Sequence, residues 1–148
     1  MTTTDPGTEA AAMLPPMPDP SPLTQFFWDG VAEHKLMILR CQNCGKYIHW
    51  PRELCRFCLS TNLAPEQVSG QGILATYTVP MQPMDPYFLL KVPYVLAVIE
   101  LAEQPNLKLV SNIVDCELDD VKITMPVEVT FREVAPGVTL PLFKPAAV

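Results

Sequence analysis

Cys41-Gln42-Asn43-Cys44-Gly45-Lys46 and, with ten residues between Cys44 and Cys55, Cys55-Arg56-Phe57-Cys58 decide how the rest of the chain reads. Each C-x-x-C places two sulfurs on one side of a tight turn, and two such knuckles complete a tetrahedral site. Soft thiolates in four-coordination suit Zn²⁺, while iron held by four thiolates is the second choice. Disulfides come third, because a chain without a secretion signal is expected in a reducing compartment. Gly45 supplies the backbone freedom that the first knuckle needs. With all four positions filled by Cys41, Cys44, Cys55 and Cys58, no position remains for substrate, so such a site is structural. A β-ribbon of some twenty residues is too small to fold without its metal, and binding is then part of folding.

Outward from the knuckles, Lys35 to Arg40 reads as a strand and Tyr47-Ile48-His49-Trp50 as a second, closed by Pro51. These give a zinc ribbon over residues 36–67. Upstream, Ser21-Pro22 has the form of a helix start, with Ser capping and Pro in the first turn. Leu23, Phe26, Phe27, Gly30, Val31 and His34 follow on one helical stripe, predicting a docking helix over 22–35. Trp28 falls off that stripe. Residues 1–21, with five prolines and three consecutive alanines, read as a disordered tail. Downstream of Val68 the period becomes two. Strands are expected at 73–79, 94–101, 107–114, 127–134 and 139–143, with turns at Gln104-Pro105-Asn106 and Ala135-Pro136-Gly137. Five strands joined by short turns predict a closed barrel of OB type over 68–146, since closure removes exposed edges.

The chain has 148 residues, 49% of them hydrophobic, with 10 Lys+Arg against 16 Asp+Glu and a net charge of −6. The acid is unevenly placed. Residues 1–22 carry −3, residues 23–62 carry +2 and residues 63–148 carry −5. An acidic barrel argues against a nucleic-acid binder, although zinc ribbons and OB-folds both occur in such proteins. No apolar run is long enough for a membrane span, and the N-terminus lacks a signal-peptide pattern, so a cytoplasmic location is expected. No catalytic residue is assigned: there is no G-x-S-x-G and no phosphate-binding glycine loop. Cys116, between Asp115 and Glu117, reads as an inert packed thiol, because neighbouring carboxylates raise its pKa. His49, between the knuckles, reads either as a hydrogen-bond donor behind the metal ligands or as an exposed ribbon residue. His34 closes the helix without a catalytic role, and Asp119-Asp120 reads as a solvated turn.

The ordered set of motifs resembles the rubredoxin-like zinc-ribbon plus OB-fold proteins grouped as domain of unknown function 35, an acyl-CoA-associated family. Its carriers are Phe27-Trp28 with Leu36, Leu39-Arg40-Cys41-x2-Cys44-Gly45-Lys46, Pro51-Arg52, Cys55-x2-Cys58 and Ser69-Gly70-Gln71-Gly72-Ile73-Leu74-Ala75-Thr76-Tyr77-Thr78-Val79. Ser111 to Asp115, Val127 to Phe131 and Leu140 to Pro145 complete the match, over residues 23–145. Trp50 departs from the family's usual proline, and Thr124 from its usual turn glycine. The resemblance implies a mainly β fold and a non-catalytic accessory subunit of a thiolase-like or aldolase partner. It further implies acyl-CoA thioesters as ligands, in lipid, sterol or polyketide metabolism. Should a CoA phosphate bind, the charge distribution points to Arg40, Lys46, Arg52 and Arg56. Phe27 and Trp28 are the expected partner-facing pair, although core packing is the first reading of Phe26 and Phe27, and Trp28 is the one expected to be exposed.

Overall fold

The computed structural model describes residues 14–147; residues 1–13 of the expected tail lie outside them. One α-helix among the described residues, α1 (Gln25–Ala32), precedes a three-stranded antiparallel sheet of β1 (Met37–Cys41), β2 (Tyr47–Ile48) and β3 (Leu63–Gln67), in the order β2-β1-β3. Then β4 (Gln71–Thr78), β5 (Val95–Leu101), β6 (Lys108–Ile113), β7 (Pro126–Ala135) and β8 (Val138–Pro145) close a barrel in the order β4-β5-β6-β8-β7.

The helix starts later than Ser21-Pro22 suggests. Ser21 accepts the backbone N–H groups of Thr24 and Gln25 at 3.0 and 2.9 Å, forming a turn that leads into the helix. Phe27, Gly30 and Val31 are its buried face. The helix ends as His34 takes φ +59° and the Lys35 N–H reaches back to Gly30 O at 2.8 Å, a Schellman-like stop.

Sequence periodicity misses β3, because Pro65 interrupts it. The position tolerates proline because β3 pairs only with β1 and is an edge strand. In β4 the alternation read from the sequence is broken by a bulge at Ala75. Leu74 is fully buried while Ile73 is exposed, and Tyr77, three residues on, packs against the same core as Leu74. The extra residue shifts the phase so that both side chains point inward. β5 keeps strict period two, burying Val95, Ala97, Ile99 and Leu101.

β1 is buried on both faces. Ile38 belongs to the large core that the barrel shares with Phe27, Val31 and Leu36, whereas Leu39 and Cys41 join Ile48 and Cys55 in a smaller core. Ribbon and barrel are tied again by Gln104, whose side chain accepts the Tyr47 N–H at 2.9 Å and donates to the Tyr47 carbonyl at 3.1 Å. Before the helix, residues 14–20 carry no regular element, yet Pro15 is buried, so this part of the expected tail lies against the barrel.

Thr124 adopts the left-handed turn geometry that glycine takes most easily. Its φ is +71°, and its N–H donates to Leu74 O at 2.8 Å. A β-branched residue is strained there, and its exposed side chain makes little contact to offset the strain. Thr124→Gly is expected to raise stability by about 1 kcal/mol, after allowing for the looser unfolded chain. A lower denaturation midpoint for the variant would refute this.

Candidate metal centre and the ribbon–barrel cleft

The first knuckle leaves β1 at Cys41 and the second follows the β2 loop, so backbone turns aim all four sulfurs inward. Cys41 and Cys55 are fully buried while Cys44 and Cys58 form the outer rim. The Cys41–Cys58 and Cys44–Cys55 sulfurs are each 3.6 Å apart, and all four lie within 4.8 Å of one another. Tetrahedral bonds of about 2.3 Å to zinc would set sulfurs roughly 3.8 Å apart, so the donor set fits the ion. Backbone N–H groups of Cys44 and Phe57 donate to the Cys41 and Cys55 sulfurs at 3.5 and 3.4 Å. The Cys44 N–H, with help from neighbouring donors, pulls the Cys41 thiol down to about 6. Cys44 is held at about 11: the Lys46 N–H lowers it, but burial and the adjoining sulfurs outweigh that.

Arg40 is committed to the ribbon. Its guanidinium donates to Glu66 at 2.8 Å and to Gly45 O at 2.9 Å, and lies 4.8 Å over the Tyr47 ring. Lys46, Arg52 and Arg56 are exposed, and among the described residues none of them is in an ion pair. Arg52 and Arg56 come together in a shallow groove with Leu23, Pro51, Glu53 and Leu54, and Arg56 stacks on Phe57 at 4.8 Å.

Phe27, expected to face a partner, is 8% exposed within the chain's own core; the helix stripe buries it against the barrel. Trp28, half-buried, meets Phe27 edge to face at 5.2 Å. Cys116 is half-buried with its pKa raised, by burial first and then by Asp120 and Glu117. The sequence neighbour Asp115 instead pairs with Arg132.

His49 is neither an exposed ribbon residue nor a donor to the sulfurs. It stacks on Trp50 at 4.7 Å, and its Nε2 is buried without a hydrogen-bond partner. It lines a cleft of about 210 Å³ that motif reading had not found. Phe27 and Trp28 of α1 form one wall, His49-Trp50-Pro51 another, and β6 and β8 the floor. The floor exists because β6 and β8 pair only at Ile113 and Phe143, leaving a seam that Ser111 bridges by donating to Pro141 O at 2.7 Å.

Burial pushes the His49 pKa down to about 4, against about 6.5 for a free imidazole. The unfolded chain therefore binds a proton that the folded chain refuses between these values, and stability is lost as pH falls through them, by about 3 kcal/mol at most. His49→Phe is expected to lose less stability than the parent between pH 7 and pH 4.5. Equal losses in denaturant titrations would show that His49 does not contribute.

Comparison with known proteins agrees with this architecture. Residues 28–64 match the model of the ChsH2 rubredoxin-like zinc ribbon domain, and residues 65–132 that of the ChsH2 C-terminal OB-fold domain. A DUF35 domain-containing scaffold protein of Methanocaldococcus jannaschii is 38% identical over 110 residues, covering 72% of this chain and 75% of its own. A protein of Thermomonospora curvata named "Probable enoyl-CoA hydratase alpha subunit" is 35% identical over 121 residues. That match covers 82% of this chain but spans only 37% of the relative's length. Among solved structures, a chain of the "Ltp2-ChsH2(DUF35) aldolase" superposes with a TM-score of 0.79 at 33% identity, covering 88% of this chain and 99% of that one. Four converging cysteines in a ribbon set on a closed five-stranded barrel, with both parts matched in order, place this chain in the DUF35 family of zinc-ribbon plus OB-fold proteins.

Proposed function

We propose that this chain is a non-catalytic accessory subunit that binds a thiolase-like or aldolase partner and helps it handle acyl-CoA thioesters. Cys41, Cys44, Cys55 and Cys58 hold one structural zinc, which fixes the ribbon. The observation that carries the reading is the likeness to almost the whole length of a chain from an aldolase assembly, at a TM-score of 0.79. The scaffold name of the Methanocaldococcus relative supports the same role. The pathway class is lipid, sterol or polyketide metabolism, and the setting is the reducing cytoplasm.

Co-expression with a thiolase-fold enzyme from the same cell tests the reading. The two chains are expected to co-elute, with thioester turnover depending on the complex. Turnover of an acyl-CoA by this chain alone would overturn the accessory role. Within the basic set, Arg40 already has partners, so Lys46, Arg52 and Arg56 remain for a CoA phosphate. Unchanged CoA-thioester affinity after Arg52→Ala with Arg56→Ala would remove that part of the proposal.

A further inference from the structure

The cleft beneath α1 combines features that an apolar core does not need. Trp28 and Trp50, the two tryptophans of the chain, both line it. Trp50 is 66% exposed, an unusual position for a large indole whose ring stacks only on His49 among the described aromatic pairs. His49 brings a buried nitrogen with no partner, which costs free energy unless something bonds to it. Neighbouring Ser111 and Asn112 cannot serve it with their donors, since these go to the carbonyls of Pro141 and Val95 at 2.7 and 3.0 Å. Pro51 belongs both to the cleft and to the groove that holds Arg52 and Arg56. An aromatic slot with one polar handle therefore opens beside Arg52 and Arg56, which are in no ion pair among the described residues.

Size narrows the occupant. An apolar cavity of about 150 Å³ takes a benzene ring, so a cleft of about 210 Å³ suits a bicyclic ring better than a long chain. A plain acyl group would fill space but leave the His49 nitrogen unpaired. A purine offers π faces to the indoles and ring-edge donors and acceptors to a neutral imidazole, which can present Nε2 in either role. Base-on-aromatic stacking is also a strong contribution. The cations next to the mouth suit the phosphates that a nucleotide carries.

We propose that the cleft is the base subsite of a purine-nucleotide site, with the base against Trp28, His49 and Trp50 and the phosphates on Arg52 and Arg56. This deepens the acyl-CoA reading and rests on it in one respect: the nucleotide end of CoA is then the part that this chain holds. A free adenine nucleotide has the same chemistry, and the experiment separates the two.

Because both tryptophans line the cleft, intrinsic fluorescence of the zinc-loaded protein reports its occupancy. Titrations with CoA, adenosine 3′,5′-bisphosphate, ATP, adenosine, pantetheine and a short single-stranded oligonucleotide form the test. Quenching by CoA and by adenosine 3′,5′-bisphosphate with similar affinity is expected, with none by pantetheine. Trp50→Ala should weaken both about tenfold, and Arg52→Ala with Arg56→Ala should weaken them while leaving adenosine unchanged. CoA binding tighter than ATP assigns the site to CoA, and equal binding assigns it to adenine nucleotides in general; both support the subsite. Quenching by CoA and pantetheine without the bisphosphate would overturn it while keeping the CoA reading. Failure of every adenine compound at millimolar concentration would also overturn it, and co-elution with the enzyme partner would still decide the accessory role separately. Tighter binding of the oligonucleotide than of any mononucleotide would overturn it in favour of a nucleic-acid surface.

Discussion

Cys55→Ser is expected to abolish metal binding and to unfold the ribbon, the largest effect of any single substitution in this chain. The Cys55 sulfur is fully buried and sits 3.6 Å from that of Cys44, so a serine leaves a poor ligand and an unfilled position. Structural zinc contributes on the order of 10 kcal/mol to small ribbons at neutral pH, and the local core around the knuckles, Leu39, Cys41, Ile48 and Cys55, is too small to replace it. Metal content should fall from one zinc per chain to none, with protease cleavage appearing between residues 41 and 63. Cys116→Ser is the control, because its half-buried thiol lies outside the four-sulfur cluster and its loss should leave zinc content unchanged. A Cys55→Ser protein that kept a full zinc equivalent would refute the ligand assignment.

Phe143→Ala should destabilise the barrel by about 3–5 kcal/mol, the usual cost of emptying a fully buried phenylalanine site. Phe143 is fully buried and is the β8 member of the sole register pair with β6, and its carbonyl accepts the Val114 N–H at 2.8 Å. Its side chain therefore fills the core where the barrel closes with fewest backbone bonds. Denaturant unfolding followed through barrel amides should shift accordingly, and a change below 1 kcal/mol would show that the seam repacks around the gap.

The cysteine spacing, the strict alternation of β5 and the proline- and glycine-marked turns made ribbon and barrel legible, since each reflects a local demand of geometry. What escaped reading depended on tertiary context. β3 carries Pro65, and only its edge position, fixed by pairing with β1, permits a strand there. In β4 the bulge at Ala75 reverses the inward face, a change that alternation alone cannot reveal. The helix start moved because the Ser21 carbonyl is used by a preceding turn. His49 and Trp50 attract no motif; their interest comes from α1 packing over the β6–β8 seam, which brings residues as far apart as Thr24 and Leu142 to one cleft. Arg40 was legible as a cation but not as a committed one, because Glu66 reaches it only through the β1–β3 pairing.

β1 carries one further meaning. Its Ile38 faces the barrel core while the adjacent Leu39 and Cys41 face the metal core, so five residues serve as a party wall with no slack between the rooms. The boundary between the two matched family domains near residue 64 is therefore not a mechanical joint. The wall also supports α1, which packs on β1 and whose Phe27 shares the barrel core with Leu36 and Ile38, so the roof of the cleft rests on the ribbon. A structural metal in the ribbon is then the part that keeps the cleft in shape.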